Sequence, residues 1–102
     1  MTIKIIFNKA HEEEIFRSEK SVICFSAEWC IPCKNNAPIY SKYANDYKEI
    51  NFYKVDIDEN NDLINMFNIT SVPTFIFLKN GINVNKLIGF DETIFLSFVK
   101  DL

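Results

Sequence analysis

Ala27-Glu28-Trp29-Cys30-Ile31-Pro32-Cys33-Lys34 joins two unlike stretches of the chain. Before it runs Val22-Ile23-Cys24-Phe25, an apolar segment that reads as a buried strand. After it, Lys34 to Tyr47 reads as a helix. Both thiols therefore fall where a strand hands over to a helix, at the helix's N-terminal end. Unpaired backbone N–H groups and the positive end of the helix dipole favour negative charge there. A cysteine so placed loses its proton more readily than a free thiol, whose pKa is about 8.5, and the thiolate is the reactive form. Spacing, position and field together favour thiol–disulfide chemistry.

Around this stretch, 102 residues make one domain, 1–102, long enough to bury a single core. At 48% hydrophobic and 15% aromatic residues the chain has a globular composition, too apolar for disorder. A formal charge of −3 without a basic cluster argues against a nucleic-acid surface. Three cysteines are too few, and odd in number, for a disulfide-stapled secreted scaffold. The apolar start, Met1 to Phe7, is too short for a signal-peptide core, and no stretch has the length to span a bilayer. The expectation is a soluble protein of a reducing cytoplasm, with no membrane association.

Further from the cysteines, Thr2 to Phe7 reads as a strand. Asn8 can cap a helix with Glu12, Glu13 and Glu14 near its start, ending near Ser18 with Ile15 and Phe16 facing inward. Ser21 to Ser26, apolar on both sides, suits the middle of a covered sheet. Along the long helix, Cys33, Ala37, Tyr40, Ala44 and Tyr47 form one stripe, with Tyr43 also read as packing, and Pro38 inside it predicts a kink. Asn51 to Asp56 alternates as a third strand. Leu63, Ile64 and Phe67 mark a short helix capped by Asn60 or Asn61. Thr74 to Leu78 reads as a buried strand, and Asn80-Gly81 as a hairpin turn into a strand from about Val84 to Ile88. Asp91 caps a last helix with Ile94, Phe95, Phe98, Val99 and Leu102 inward. The order β-α-β-α-β-α-β-β-α predicts an α/β fold, with a mixed five-stranded sheet covered by helices on both faces.

Trp29-Cys30 with Pro32-Cys33-Lys34, Ala37-Pro38 one turn on, Tyr53 to Asn60, Val72-Pro73-Thr74-Phe75, and the turns at Asn80-Gly81 and Gly89 resemble the thioredoxin family over the whole chain. The resemblance implies the thioredoxin fold and a protein-disulfide reductase, an electron carrier serving cell redox homeostasis. By that resemblance Cys30 is the exposed nucleophile that attacks a target disulfide, and Cys33, set deeper, resolves the mixed disulfide. The Val72–Pro73 bond is expected to be cis. Trp29, Ile31, Pro32, Val72, Pro73, Gly89 and Phe90 would form an apolar platform for protein targets. The redox-active Cys30–Cys33 disulfide needs no bound cofactor or metal. Electrons would come from thioredoxin reductase, an NADPH-dependent flavoprotein, and pass to disulfide proteins such as peroxiredoxin or ribonucleotide reductase. The protein is expected to act as a monomer.

Two positions depart from the family. Cys24 stands where most members bury an aspartate that assists Cys33 and meets the lysine matched by Lys54. A buried thiol is neutral, so Lys54 would turn to Glu28, Asp56 or solvent, and Cys24→Asp should speed resolution. Ile31 replaces the usual glycine, stiffening the turn and adding apolar surface.

Other readings stay open from sequence. Cys30 and Cys33 could supply half of a zinc site, with Cys24 and His11 as the remaining donors, or form a purely structural disulfide. The chemistry could draw on glutathione instead, or the domain could be a binding module in a larger complex.

Overall fold

A computed structural model describes residues 3–6 and 9–102, with the backbone alone at Lys9. The elements are β1 (Ile3–Ile5), α1 (Lys9–Arg17), β2 (Lys20–Ser26), α2 (Ile31–Asp46), β3 (Asn51–Asp56), α3 (Asn61–Met66), β4 (Thr74–Lys79), β5 (Ile82–Ile88) and α4 (Glu92–Asp101). They form one five-stranded sheet in the order β1-β3-β2-β4-β5. β1, β3 and β2 are parallel, as crossover helices require, while β4 runs antiparallel to both β2 and β5. This is the mixed, helix-covered sheet expected from the sequence.

β2 lies between β3 and β4 and is buried from Ser21 to Ser26. Successive side chains point to opposite faces, so each face receives its own apolar set. Val22 and Cys24 join Phe52, Phe75, Phe77 and Leu87 beneath Tyr40, Tyr43 and Ala44 of α2 and Phe95 and Val99 of α4. Ile23 and Phe25 join Tyr53, Val55, Ile76 and Leu78 beneath Ile15 of α1 and Leu63 of α3. Phe95 anchors the first core, with ring centroids of Phe75, Phe77, Phe90 and Tyr43 5.2 to 5.5 Å away. The tyrosines of α2 do more than fill space. Tyr40 donates its hydroxyl to the Tyr53 carbonyl at 2.7 Å, and Tyr43 donates to Glu92 at 2.6 Å, tying α2 to α4.

Several boundaries and faces differ from the sequence reading. β1 is confirmed over Ile3–Ile5; Thr2, Phe7 and the Asn8 cap lie outside the described residues. α2 begins at Ile31 instead of Lys34 and ends at Asp46, running through Pro38. Ala37 is exposed, since full burial on α2 starts only at Tyr40. Ile94 and Phe16 are also exposed, at 42% and 37%. Each sits one residue, about 100° of helix, from the buried Phe95 or Ile15. Phe16 still stacks on Phe67, with centroids 6.3 Å apart. Asn60 occupies the N-cap of α3, but its side chain donates to the Asp56 carbonyl at 3.0 Å instead of capping the helix. Asp91 caps α4 as expected, accepting the Ile94 N–H at 3.0 Å.

Candidate active site

Cys30 is the N-cap of α2, with an extended backbone, and its sulfur accepts the Cys33 N–H at 3.2 Å. Its own N–H donates to the Ala27 carbonyl at 3.1 Å, and its carbonyl receives Lys34 N–H at 3.2 Å, which sets the first helical turn. Pro32 fits in that turn because its missing N–H would have had no helical partner. The Cα atoms of Cys30 and Cys33 stand 5.3 Å apart, and the two sulfurs are joined in a disulfide.

The exposure of the two cysteines reverses the expectation. Cys30 is only 4% exposed and Cys33 is half-buried. As the N-cap, Cys30 turns its sulfur back over the helix start, while its neighbours Trp29 and Ile31 project outward, each 64% exposed. Trp29 is steadied by donating its ring N–H to Asp58 at 3.1 Å. Asp58 is held in turn through its backbone N–H, 2.8 Å from an Asp56 carboxylate oxygen. These two contacts join the Trp29 turn to the end of β3, which lies beside β2 with Ser26 opposite Asp56. The sequence reading missed the Trp29–Asp58 contact, since it depends on two strands meeting side by side.

The other expected site residues fall into three groups. The Val72–Pro73 bond is cis. Val72 shares a small apolar cleft of about 160 Å³ with Trp29, lined also by Ile57, Ile64 and Ile69. Pro73 is buried, and its carbonyl accepts the Gly89 N–H at 2.8 Å. Gly89 has φ +78° with open space where a Cβ would stand, so its backbone conformation favours glycine. Phe90 is half-buried, its ring 5.6 Å from Phe75 and 5.5 Å from Phe95, so much of it packs against the core. Ile31, Pro32 and Pro38 are exposed along α2.

Cys24 sits in register with Lys54 on one side and Phe75 on the other. Burial pushes its thiol up to about 12, against the opposing pull of the Lys54 charge. Lys54 itself is exposed and lines a cleft with Cys33, Lys34, Glu28, Asp56 and Glu59. Among the described residues, no three His, Cys, Asp or Glu side chains converge to hold a metal ion. His11 lies on α1, where its charge acts on Glu14. The joined sulfurs at a helix N-terminus can accept an electron pair from an attacking thiolate. In dithiol form they can return it to another disulfide.

The family model described as thioredoxin matches residues 2–101. The thioredoxin of Mycoplasma genitalium is 42% identical over 79 residues, covering 76% of this chain and 78% of the relative. Rice (Oryza sativa subsp. japonica) thioredoxin H5 is 41% identical over 78 residues, covering 76% of this chain and 58% of its own length. This chain thus spans little more than half of the rice relative. A chain solved for "Structural basis of the thiol resolving mechanism in yeast mitochondrial 1-Cys peroxiredoxin via glutathione/thioredoxin systems" superposes with a TM-score of 0.92 and 32% identity, over 99% of this chain and 96% of that one.

Proposed function

This chain belongs to the thioredoxin family, and on that premise we propose that it is a protein-disulfide reductase cycling Cys30 and Cys33 between dithiol and disulfide. The observation that carries the reading is a Cys30–Cys33 disulfide built on the N-cap of α2. Cys30 is taken as the attacking thiolate for its N-cap position, where the helix field favours negative charge, despite its low exposure in the disulfide form. It attacks one sulfur of a target disulfide, forming a mixed disulfide and releasing the target's other sulfur as a thiolate. Cys33 then displaces the target from Cys30 and restores the internal disulfide. The second attack is intramolecular, between sulfurs already at bonding reach, which favours resolution over stalling.

Trp29, Ile31, Pro32 and Val72, with the Gly89-Phe90 turn, form the surface that meets the target, while the buried Pro73 holds that turn through its carbonyl. Thioredoxin reductase regenerates the dithiol at the expense of NADPH. Targets are disulfide proteins of the peroxiredoxin and ribonucleotide reductase kind. For the first, the support is the likeness to a chain solved in work on a peroxiredoxin's thiol resolution. The protein works as a monomer in the cytoplasm.

A Cys33→Ser variant tests this. It is expected to accumulate Cys30-linked mixed disulfides from cell extract, released by reductant and identified by mass spectrometry. Recovering no covalent partner would count heavily against the reading. Turnover with glutathione alone, and none with NADPH plus thioredoxin reductase, would reassign the electron source. A Cys30→Ser/Cys33→Ser double variant that keeps its partner and phenotype would make the domain a binding module.

A further inference from the structure

Cys33, the more exposed of the two cysteines, borders an open cleft of about 550 Å³. Lys34 follows it on α2, Glu28 reaches in from the turn after β2, and Lys54 and Asp56 come from β3. Glu59 and the apolar Ile5 of β1 also line it. Cys24 takes no part in lining this cleft. It belongs to the apolar cluster with Tyr40 and Phe75. Position 24 thus supplies no carboxylate, and the acids that share the cleft with Cys33 are Glu28, Asp56 and Glu59.

Resting on the reductase reading above, we propose that Asp56 accepts the Cys33 proton, through cleft water, as the mixed disulfide is resolved. The Cys33 sulfur bonds to Cys30, the Cys30–target bond breaks, and the target departs as a thiolate carrying the electron pair. The Cys33 proton passes to the Asp56 carboxylate and on to solvent. Asp56 is the acid best held for this task. It is half-buried at the end of β3, opposite Ser26, with one oxygen fixed by the Asp58 N–H at 2.8 Å. Glu28 and Glu59 are exposed on longer side chains, and Asp58 is engaged by Trp29. Lys34 and Lys54 supply positive charge that favours the Cys33 thiolate as it forms.

Stopped-flow reaction of the reduced protein with Ellman's reagent separates the steps. A first thionitrobenzoate is released as Cys30 attacks, at a rate that scales with reagent. A second is released as Cys33 displaces the first adduct, at a rate that does not. Asp56→Asn keeps an oxygen for the Asp58 N–H but loses the basic carboxylate. It is expected to slow the second phase roughly tenfold at neutral pH, less than the ~10²-fold typical of a general base because cleft water substitutes in part. The first phase should stay unchanged, and the deficit should close above about pH 9, where the thiol ionises unaided. Asp56→Ser must slow the same phase, whereas Glu28→Gln and Glu59→Gln must not. A second phase untouched by loss of Asp56, or slowed equally at every pH, overturns the proposal and leaves the reductase reading standing. Absence of a second phase in the unsubstituted protein would sink both.

Discussion

Cys24 lies on β2, the strand that leads to the redox pair, yet its environment makes it a bystander to electron transfer. Flanked by Tyr40 and Phe75 and 8% exposed, it is a neutral thiol at physiological pH, because burial holds its ionisation near 12. In the oxidised, folded protein Ellman's reagent should find no reactive sulfur, and one should appear in denaturant. A thiol titrated before unfolding would contradict that placement. Cys24→Asp puts a carboxylate among aromatic rings with only Lys54 to offset it. A loss of roughly 1–3 kcal/mol is expected, read as a lower urea midpoint. The burial of Cys24 was legible from the Val22-Ile23-Cys24-Phe25 run, apolar toward both faces. That Asp56 shares a cleft with Cys33 was not, because it follows from β3 lying beside β2, a contact that no local pattern encodes.

Among the elements, the β4–β5 hairpin shows most clearly how residue type sets geometry. Asn80 and Gly81 both have positive φ, 53° and 79°, as a tight two-residue turn between twisted strands demands. At Gly81 a Cβ would also meet the Phe16 carbonyl oxygen at 2.8 Å. Gly81→Ala is therefore expected to destabilise by more than about 1 kcal/mol, checked by thermal or urea unfolding, and no loss would mean the turn can relax. The turn dipeptide was readable, but the start of β5 was misplaced by two residues. Ile82, Val84 and Ile88 are exposed on an edge strand, so their pattern does not alternate apolar-in and polar-out as a half-covered strand would. The start of α2 was hidden for a related reason. Its N-cap is a cysteine whose sulfur receives the Cys33 N–H, outside the serine, threonine and acidic residues that usually announce a helix.

Taken whole, the molecule places its chemistry and a polar side-chain network toward opposite ends of the parallel β2–β3 pair. Near the start of β3, Glu14 accepts from Lys4 and Tyr53, each at 3.0 Å, while Ser18 meets Tyr53 and Asn51, stapling α1 to β1 and β3. The Lys4 bond chiefly, with the Tyr53 hydroxyl and nearby positive charge, draws the Glu14 carboxyl below its ordinary range despite partial burial. A lowered folded pKa means that this stabilisation is present above the unfolded value and fades as pH falls through the folded one. Glu14→Gln should thus flatten the acid limb of stability against pH below about 4.5, measured by urea midpoints, and an unchanged limb would exclude the linkage. At the other end, the redox pair is separated by only three positions in sequence. A ring that small restrains the unfolded chain little, worth about 2 kcal/mol on a chain-entropy account. Opening it therefore lowers the fold's margin by about that much, so the molecule that carries electrons outward is the less sturdy of its two forms.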